Sequence, residues 1–186
     1  MNFPDIFKYN TLISIPLFAV VAIVLVRKNT DYSYHLHTIS KSVHFLNNPL
    51  QNAVFRLNFI IKAFLDFGFA LFLITHFNIS FGSFISIMLI LSAVLFGTLA
   101  YFVEGKYSMS HKIATYSAGV LWVIGQFGIV RIIGDSRFTI FSTIFLSIPM
   151  LLAFGYLFAK KTNVVIQGIC MSIWYIWLLV MVFGYL

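Results

Sequence analysis

Charge and sulfur are what this chain has least of. Its 186 residues include five Asp or Glu, twelve Lys or Arg and a single cysteine. Charged residues make up 9%, where a soluble domain carries about 25%. Too few polar side chains remain to cover a water-soluble fold of this size. The 61% apolar content instead points to hydrocarbon as the solvent. One cysteine excludes an intrachain disulfide, and Cys170, set in an apolar run, reads as a small buried hydrophobe. No glycine-rich phosphate loop, H-E-x-x-H pair or cysteine-based metal spacing occurs. The net charge of +7 is spread along the edges of apolar stretches, which suits a membrane surface and speaks against nucleic-acid binding. Lys8 is the one basic residue ahead of the first apolar run, Asp5 offsets it, and no small-residue cleavage site follows. That run is therefore expected to be a retained helix rather than a signal peptide.

Long apolar runs are what the chain has in quantity. A bilayer-crossing helix needs about 20 mostly apolar residues. Six segments qualify: 6–26 (with Pro16 inside), 55–77, 81–103, 113–133, 138–159 and 164–186. These runs lack the alternation of a membrane barrel strand. The short links 78–80, 134–137 and 160–163 force antiparallel neighbours. The expected fold is all-α: one polytopic transmembrane domain over residues 1–186, a bundle of six helices. The exception among the connections is residues 27–54, as long as a helix itself. Lys and Arg set the orientation. Connections one, three and five carry Arg27, Lys28, Lys41, Arg56, Lys106, Lys112, Lys160 and Lys161, against Lys8, Arg131 and Arg137 on the other side. This bias places the first loop in the cytoplasm and both termini outside.

The polar residues inside these runs need a reason, because a charge at mid-membrane costs roughly 2.5–3.5 kcal/mol on insertion scales. In the second run Asn58, Lys62 and Asp66 recur every fourth residue and form one stripe, and Lys62 and Asp66 can pair. The stripe reads as a neutralised pair that fixes packing, as a lysine snorkelling to the interface, or as a polar pocket or proton-handling site. In the fourth run His111, Thr115, Gly119, Trp122 and Gln126 share a face. Ala93 and Gly97 form a small-xxx-small pair that lets the third helix pack closely.

The first loop reads DYSYHLHTISKSVH over residues 31–44. Thr38 is placed to cap a helix, and Ile39, Val43 and Leu46 recur with helical spacing. A short amphipathic helix over 39–46, lying in the membrane interface and ended by Asn47-Asn48-Pro49, is expected. On an α-helix Ser40 and His44 would share a face, with His37 in reach. Three chemistries compete there. His35, His37, His44 and His111 are candidate metal ligands, with Asp31 nearby. Ser40 is a candidate nucleophile activated by His44 or His37. The third is structural: capping, interfacial hydrogen bonds and anchoring by Tyr32 and Tyr34. His37 and His111 lie at one membrane level in a six-helix topology, so they are candidates to approach each other.

The stretch His37-Thr38-Ile39-Ser40 resembles the H-T-I-S motif of a six-helix prokaryotic membrane protein family, domain of unknown function 998. That family follows the motif with a proline, an early asparagine in the second helix and a histidine opening the fourth. Pro49, Asn58 and His111 match those positions. Where the family often continues with an acidic residue and soon a glycine, this chain has Lys41, Ser42 and Val43. The resemblance implies the six-helix fold and location in a prokaryotic plasma membrane, and implies no activity. A more distant likeness, at the level of fold, is to eukaryotic six-helix proteins of the autophagy-modulator and lipid-remodelling type.

Taken together, the residues indicate a non-enzymatic integral membrane protein with membrane lipid as its surroundings and no cofactor. It would bind a lipid or small amphiphile in a polar-lined pocket at one membrane face. His37, Ser40, Asn58 and His111 are the candidate contacts, with Lys62 and Asp66 below them. Two alternatives stay open: a membrane-embedded lipid hydrolase using Ser40 with His44 or His37, or a His-bound metal; and a small proton-linked transporter gated by Lys62 and Asp66.

Overall fold

The computed structural model describes residues 5–27, 31–46, 48–102, 108–159 and 163–186. Lys28, Asn47, Val103, Lys106, Lys160 and Lys161, all used in the sequence reading, lie outside them. Among the described residues the regular structure is entirely helical. A 3-10 turn, Asp5–Tyr9, runs into α1 (Asn10–Val26), which contains Pro16. There follow α2 (Pro49–His76), α3 (Phe84–Thr98), α4 (Ser108–Ile133), α5 (Ser136–Ala159) and α6 (Val164–Gly184).

Capping chemistry sets several of these ends. Asn48 accepts from Leu50 N–H at 2.8 Å and Pro49 opens α2, so the Asn-Pro pair starts a helix instead of ending the preceding one. As a result α2 begins six residues earlier than residue 55 and the first loop shortens. Ser83 caps α3 by accepting from Ser86 N–H, and so starts it later than residue 81. Asp135 accepts from Phe138 N–H at 2.6 Å ahead of α5, and Asn163 from Ile166 N–H at 3.0 Å ahead of α6. Gly134, with φ +71°, makes the turn between α4 and α5 at little steric cost. Helix α4 starts five residues before 113, which brings His111 and Lys112 onto it.

Side-chain register shows how the helices run. Down α1 the pairs are Phe18 with Asn58, Ser14 with Asp66, and Asn10 with Gly68: antiparallel to α2. Arg56 bonds Ala100 and Ala63 faces Gly97, so α2 and α3 are antiparallel. Ser92 bonds Ala118, Leu89 meets Gly125 and Ile85 meets Gly128, so α3 and α4 are too. Trp177 bonds Ser142, and the Cys170 thiol faces the Pro149 carbonyl at 3.8 Å, across α5 and α6. Helix α4 also packs on α5, and α6 returns to α1. The helices thus close into a ring.

The ring is apolar outside. Phe64, Leu151 and Phe183 are 70% exposed or more, whereas Gln126 and Ser142 are fully buried. A fold surrounded by water rarely exposes so much contiguous apolar surface. Four helices are long and apolar enough to cross a membrane: Asp5–Val26, Pro49–His76, Met109–Ile133 and Val164–Gly184. The apolar helices Phe84–Thr98 and Ser136–Leu152 are shorter. This arrangement is consistent with a multi-pass membrane protein.

Candidate functional site

The ring encloses a cavity of about 290 Å³, reached by side chains of the first loop and of all six helices. At one end stand Ser40, His111, Lys112 and Gln167. Its waist is aromatic and aliphatic: Phe18, Phe59, Phe96, Leu99 and Met171. Thr11, Lys62, Asp66 and Trp174 also line it. Depth follows from helix rise. Arg56 bonds the carbonyl of Ala100 just past α3, at the first-loop end of the bundle. Lys62 lies about 9 Å and Asp66 about 15 Å further down α2, at about 1.5 Å per residue.

The floor is built around one ion pair. Asp66 Oδ2 takes Lys62, four residues before it on α2, and Asp66 Oδ1 accepts from the Ser14 hydroxyl of α1 at 2.6 Å. The Lys62 ammonium also sits 4.6 Å from the centre of the Phe96 ring. Both charges are nearly out of solvent, with side chains 12% and 10% exposed. Two further polar groups of this region, Thr11 Oγ1 and Trp174 Nε1, are buried and have no hydrogen-bond partner among the described residues. Both residues line the cavity.

At the first-loop end, His111 is buried and its Nδ1 lies 2.6 Å from the carbonyl oxygen of Phe102. A carbonyl only accepts, so Nδ1 carries a hydrogen in this contact. Loop one covers this end. Val164 N–H donates to the His37 carbonyl at 2.8 Å, Asn163 Nδ2 to the His35 carbonyl at 2.9 Å, and Ile39 N–H to Gln167 Oε1 at 2.8 Å. Three bonds thus strap the loop to the start of α6. Replacing Gln167 with Leu leaves the Ile39 N–H without its acceptor, a loss of about 1–3 kcal/mol if it stays buried. Faster amide exchange confined to residues 31–46 is the expected result; unchanged exchange there would show that the strap does not hold the loop.

Of the candidate contacts, Ser40, His111, Lys62 and Asp66 line the cavity. His37 and Asn58 do not. Asn58 Nδ2 donates to the Phe18 carbonyl at 3.0 Å, tying α2 to α1. The His37 ring stacks on Phe45 at 4.6 Å and leans on Tyr32, and its Nδ1 accepts from Ser33 N–H. Neither a hydrogen bond nor a ring contact joins His37 to His111 among the described residues.

The expected α-helix over 39–46 is instead a 3-10 turn, Ser40–Phe45. Thr38 Oγ1 does accept from Lys41 N–H at 3.1 Å. With about three residues per turn, positions four apart sit roughly a third of a turn from each other, so Ser40 and His44 do not share a face. Ser40 is directed to the cavity while His44 is exposed. His35 is exposed as well, and the described residues hold no group of three or more His, Cys, Asp or Glu placed to bind a metal.

Sequence reasoning gave no reason to include Thr11, Gln167 or Trp174. Thr11 is a single small polar residue in an apolar run, and Gln167 and Trp174 face the cavity only because α6 closes the ring against α1. Comparison of the chain with family models, with curated proteins and with solved structures finds no match.

Proposed function

We propose that this chain is a six-pass membrane protein that binds a small amphiphile in the cavity between its helices. The observation that carries the reading is the cavity itself: mainly apolar walls, with a few polar side chains, among them Ser40, His111, Lys62 and Asp66, in its lining. Ligand sites share this composition, a mainly apolar lining with a few placed polar atoms, and about 300–1,000 Å³ is their usual volume. A cavity of about 290 Å³ suits a single-chain molecule better than a two-chain phospholipid.

Helix direction supports six crossings. The His111–Phe102 contact places the start of α4 at the first-loop end, where α2 also starts. Two helices that cross the same way need a return between them, and α3 supplies it. The same holds for α5 between α4 and α6. At 15 residues α3 spans about 22 Å, so the bilayer thins locally there or the flanking turns complete the crossing. The resemblance to the domain of unknown function 998 family supports the same six-pass reading. The Lys and Arg bias puts the first loop in the cytoplasm and both termini outside.

Trp122 and Trp174 line the cavity, so tryptophan fluorescence of the detergent-purified protein reads occupancy. A brominated single-chain amphiphile is expected to quench saturably. Gly119 also lines the cavity, and a Cβ there would meet Trp174 at an ordinary 3.9 Å. Gly119→Leu should therefore fill the space without straining the backbone, and abolish saturable quenching at an unchanged melting temperature. Non-saturable quenching that is equal in both proteins would dispose of the reading.

A further inference from the structure

We infer a second binding site, on the outside of the bundle: the seam between α2 and α3 seats an anionic phospholipid, its phosphate on Arg56 and one acyl chain in the furrow below. The site rests on the membrane-crossing part of the reading above and not on what fills the cavity.

Three features of the seam lead there. First, Arg56 is held in place with most of its donors unspent. Its Nη1 donates to the Ala100 carbonyl at 3.0 Å, so the side chain reaches from α2 across to the end of α3. A guanidinium carries five N–H groups in a rigid fork that fits phosphate oxygens. Among the described residues the other N–H groups of Arg56 have no partner, and the residue is exposed. Second, the two helices touch directly below it. Ala63 follows Arg56 by seven residues and so lies on the same side of α2. A Cβ on Gly97 of α3 would stand 3.2 Å from the Ala63 Cβ. Two small residues in contact leave a furrow between the bulkier side chains that flank them. Third, those flanks are apolar and face outward: Ile60 and Phe64 of α2, Val94 and Ile87 of α3, all exposed. Phe64 lies about 12 Å below Arg56, at about 1.5 Å per residue, so the furrow leads from the charge toward the bilayer interior.

Charge selects the class of lipid. A zwitterionic head would bring its own ammonium beside the Arg56 cation, and no carboxylate among the described residues pairs with Arg56 to offset it. A head of net negative charge brings no such cation. An exposed ion pair in bulk water contributes little, because water screens it and both partners lose freedom in forming it. At the membrane surface the balance differs. The lipid is already confined to the leaflet, the Ala100 carbonyl already orients the guanidinium, and an arginine facing anionic headgroups gains measurably. A chain without a head would fill the furrow and leave Arg56 unused.

Native mass spectrometry of the detergent-purified protein, titrated with dioleoylphosphatidylglycerol or dioleoylphosphatidylcholine, counts bound lipid. The first phosphatidylglycerol should bind about fivefold or more tighter than the first phosphatidylcholine, the order expected for one arginine at an anionic headgroup. Arg56→Gln keeps a donor for the Ala100 carbonyl and removes the charge, and should bring the two lipids level. Arg56→Lys keeps the charge without the fork; it should fall between, and it serves if Arg56→Gln fails to fold. Lys41→Gln removes an exposed charge from the same end and should leave the preference intact, as should Gly119→Leu, which fills the cavity. No preference in the parent, or one that survives Arg56→Gln, would overturn the site. Equal losses in Arg56→Gln and Lys41→Gln would overturn it too, in favour of general surface charge. Loss in Gly119→Leu would place the lipid in the cavity, so that the seam falls and the amphiphile reading stands. A dimer that Arg56→Gln dissolves would put a second copy of this chain in the seam instead of lipid.

Discussion

Asp66→Ala is expected to destabilise the folded protein by about 3–5 kcal/mol, the loss typical of removing one partner of a buried ion pair. The physical reason is what stays behind. Lys62 keeps its charge at a depth of about 9 Å below Arg56, at about 1.5 Å per residue. Among the described residues its other attractive contact is the face of Phe96, worth about 0.5–2 kcal/mol and present in the parent as well. The Ser14 hydroxyl loses its carboxylate too, though it also faces the Thr11 carbonyl at 3.2 Å. Replacing both ions together, Lys62→Met with Asp66→Leu, should return stability to within about 1 kcal/mol of the parent or above it, because neither charge then needs a partner. Reversible unfolding in mixed detergent micelles, followed by tryptophan fluorescence, measures both. An Asp66→Ala protein as stable as the parent would mean that water reaches the pair freely.

The second large effect is steric. Gly128→Leu and Gly125→Leu are each expected to cost about 1–3 kcal/mol or to prevent folding, the range for overpacking a close contact. A Cβ on Gly128 would stand 2.6 Å from Ile85 Cγ1, and one on Gly125 would stand 2.7 Å from Leu89 Cδ2 and 3.3 Å from the Leu89 backbone nitrogen. Side chains can turn aside by tenths of an ångström, but the α3 backbone has α2 behind it and cannot retreat as easily. The two glycines sit on one stripe and share a partner helix, so their costs will not add. Gly168→Ala is the control. A Cβ there meets nothing within 4 Å, and alanine is the better helix former by about 1 kcal/mol. Its melting temperature should hold or rise; a fall as large as that of Gly128→Leu would remove close α3–α4 approach as the cause.

The small-residue pair singled out from sequence, Ala93 and Gly97, lies on α3. There Gly97 does face another helix closely, with its Cβ position 3.2 Å from Ala63 of α2. The tighter approach, through Gly125 and Gly128, was not legible. Small residues four or three apart are common in apolar helices, and which of them meets a neighbour depends on helix rotation.

Much about the site divides in the same way. The stripe Asn58, Lys62, Asp66 is visible as a period of four, because helical geometry alone puts those residues on one face. That Asn58 turns to the Phe18 carbonyl while Lys62 and Asp66 face the cavity is decided by the position of α1, about which local sequence says nothing. Of the face His111, Thr115, Gly119, Trp122 and Gln126 read from spacing, the first four line the cavity, whereas Gln126 is buried and does not. The histidine-rich loop misled for a definite reason. Its spacing was read at 3.6 residues per turn, whereas the segment winds at about three, held by Thr38 and strapped to α6. That change in pitch moves His44 away from Ser40.

What the sequence determined by itself is the solvent and the secondary structure. A long apolar run can satisfy its backbone within itself in hydrocarbon only as a helix, and that constraint is local to each run. Helix ends were less secure, because Asn48, Ser83 and Asp135 set them through single side-chain bonds that composition does not weigh. Tertiary structure alone decided the cavity. Thr11, Gln167 and Trp174 come to one space because α6 closes against α1, and that closure joins the two ends of the chain. Which side chains come to share such a space has no signature in sequence, since it depends on what the rest of the fold brings near.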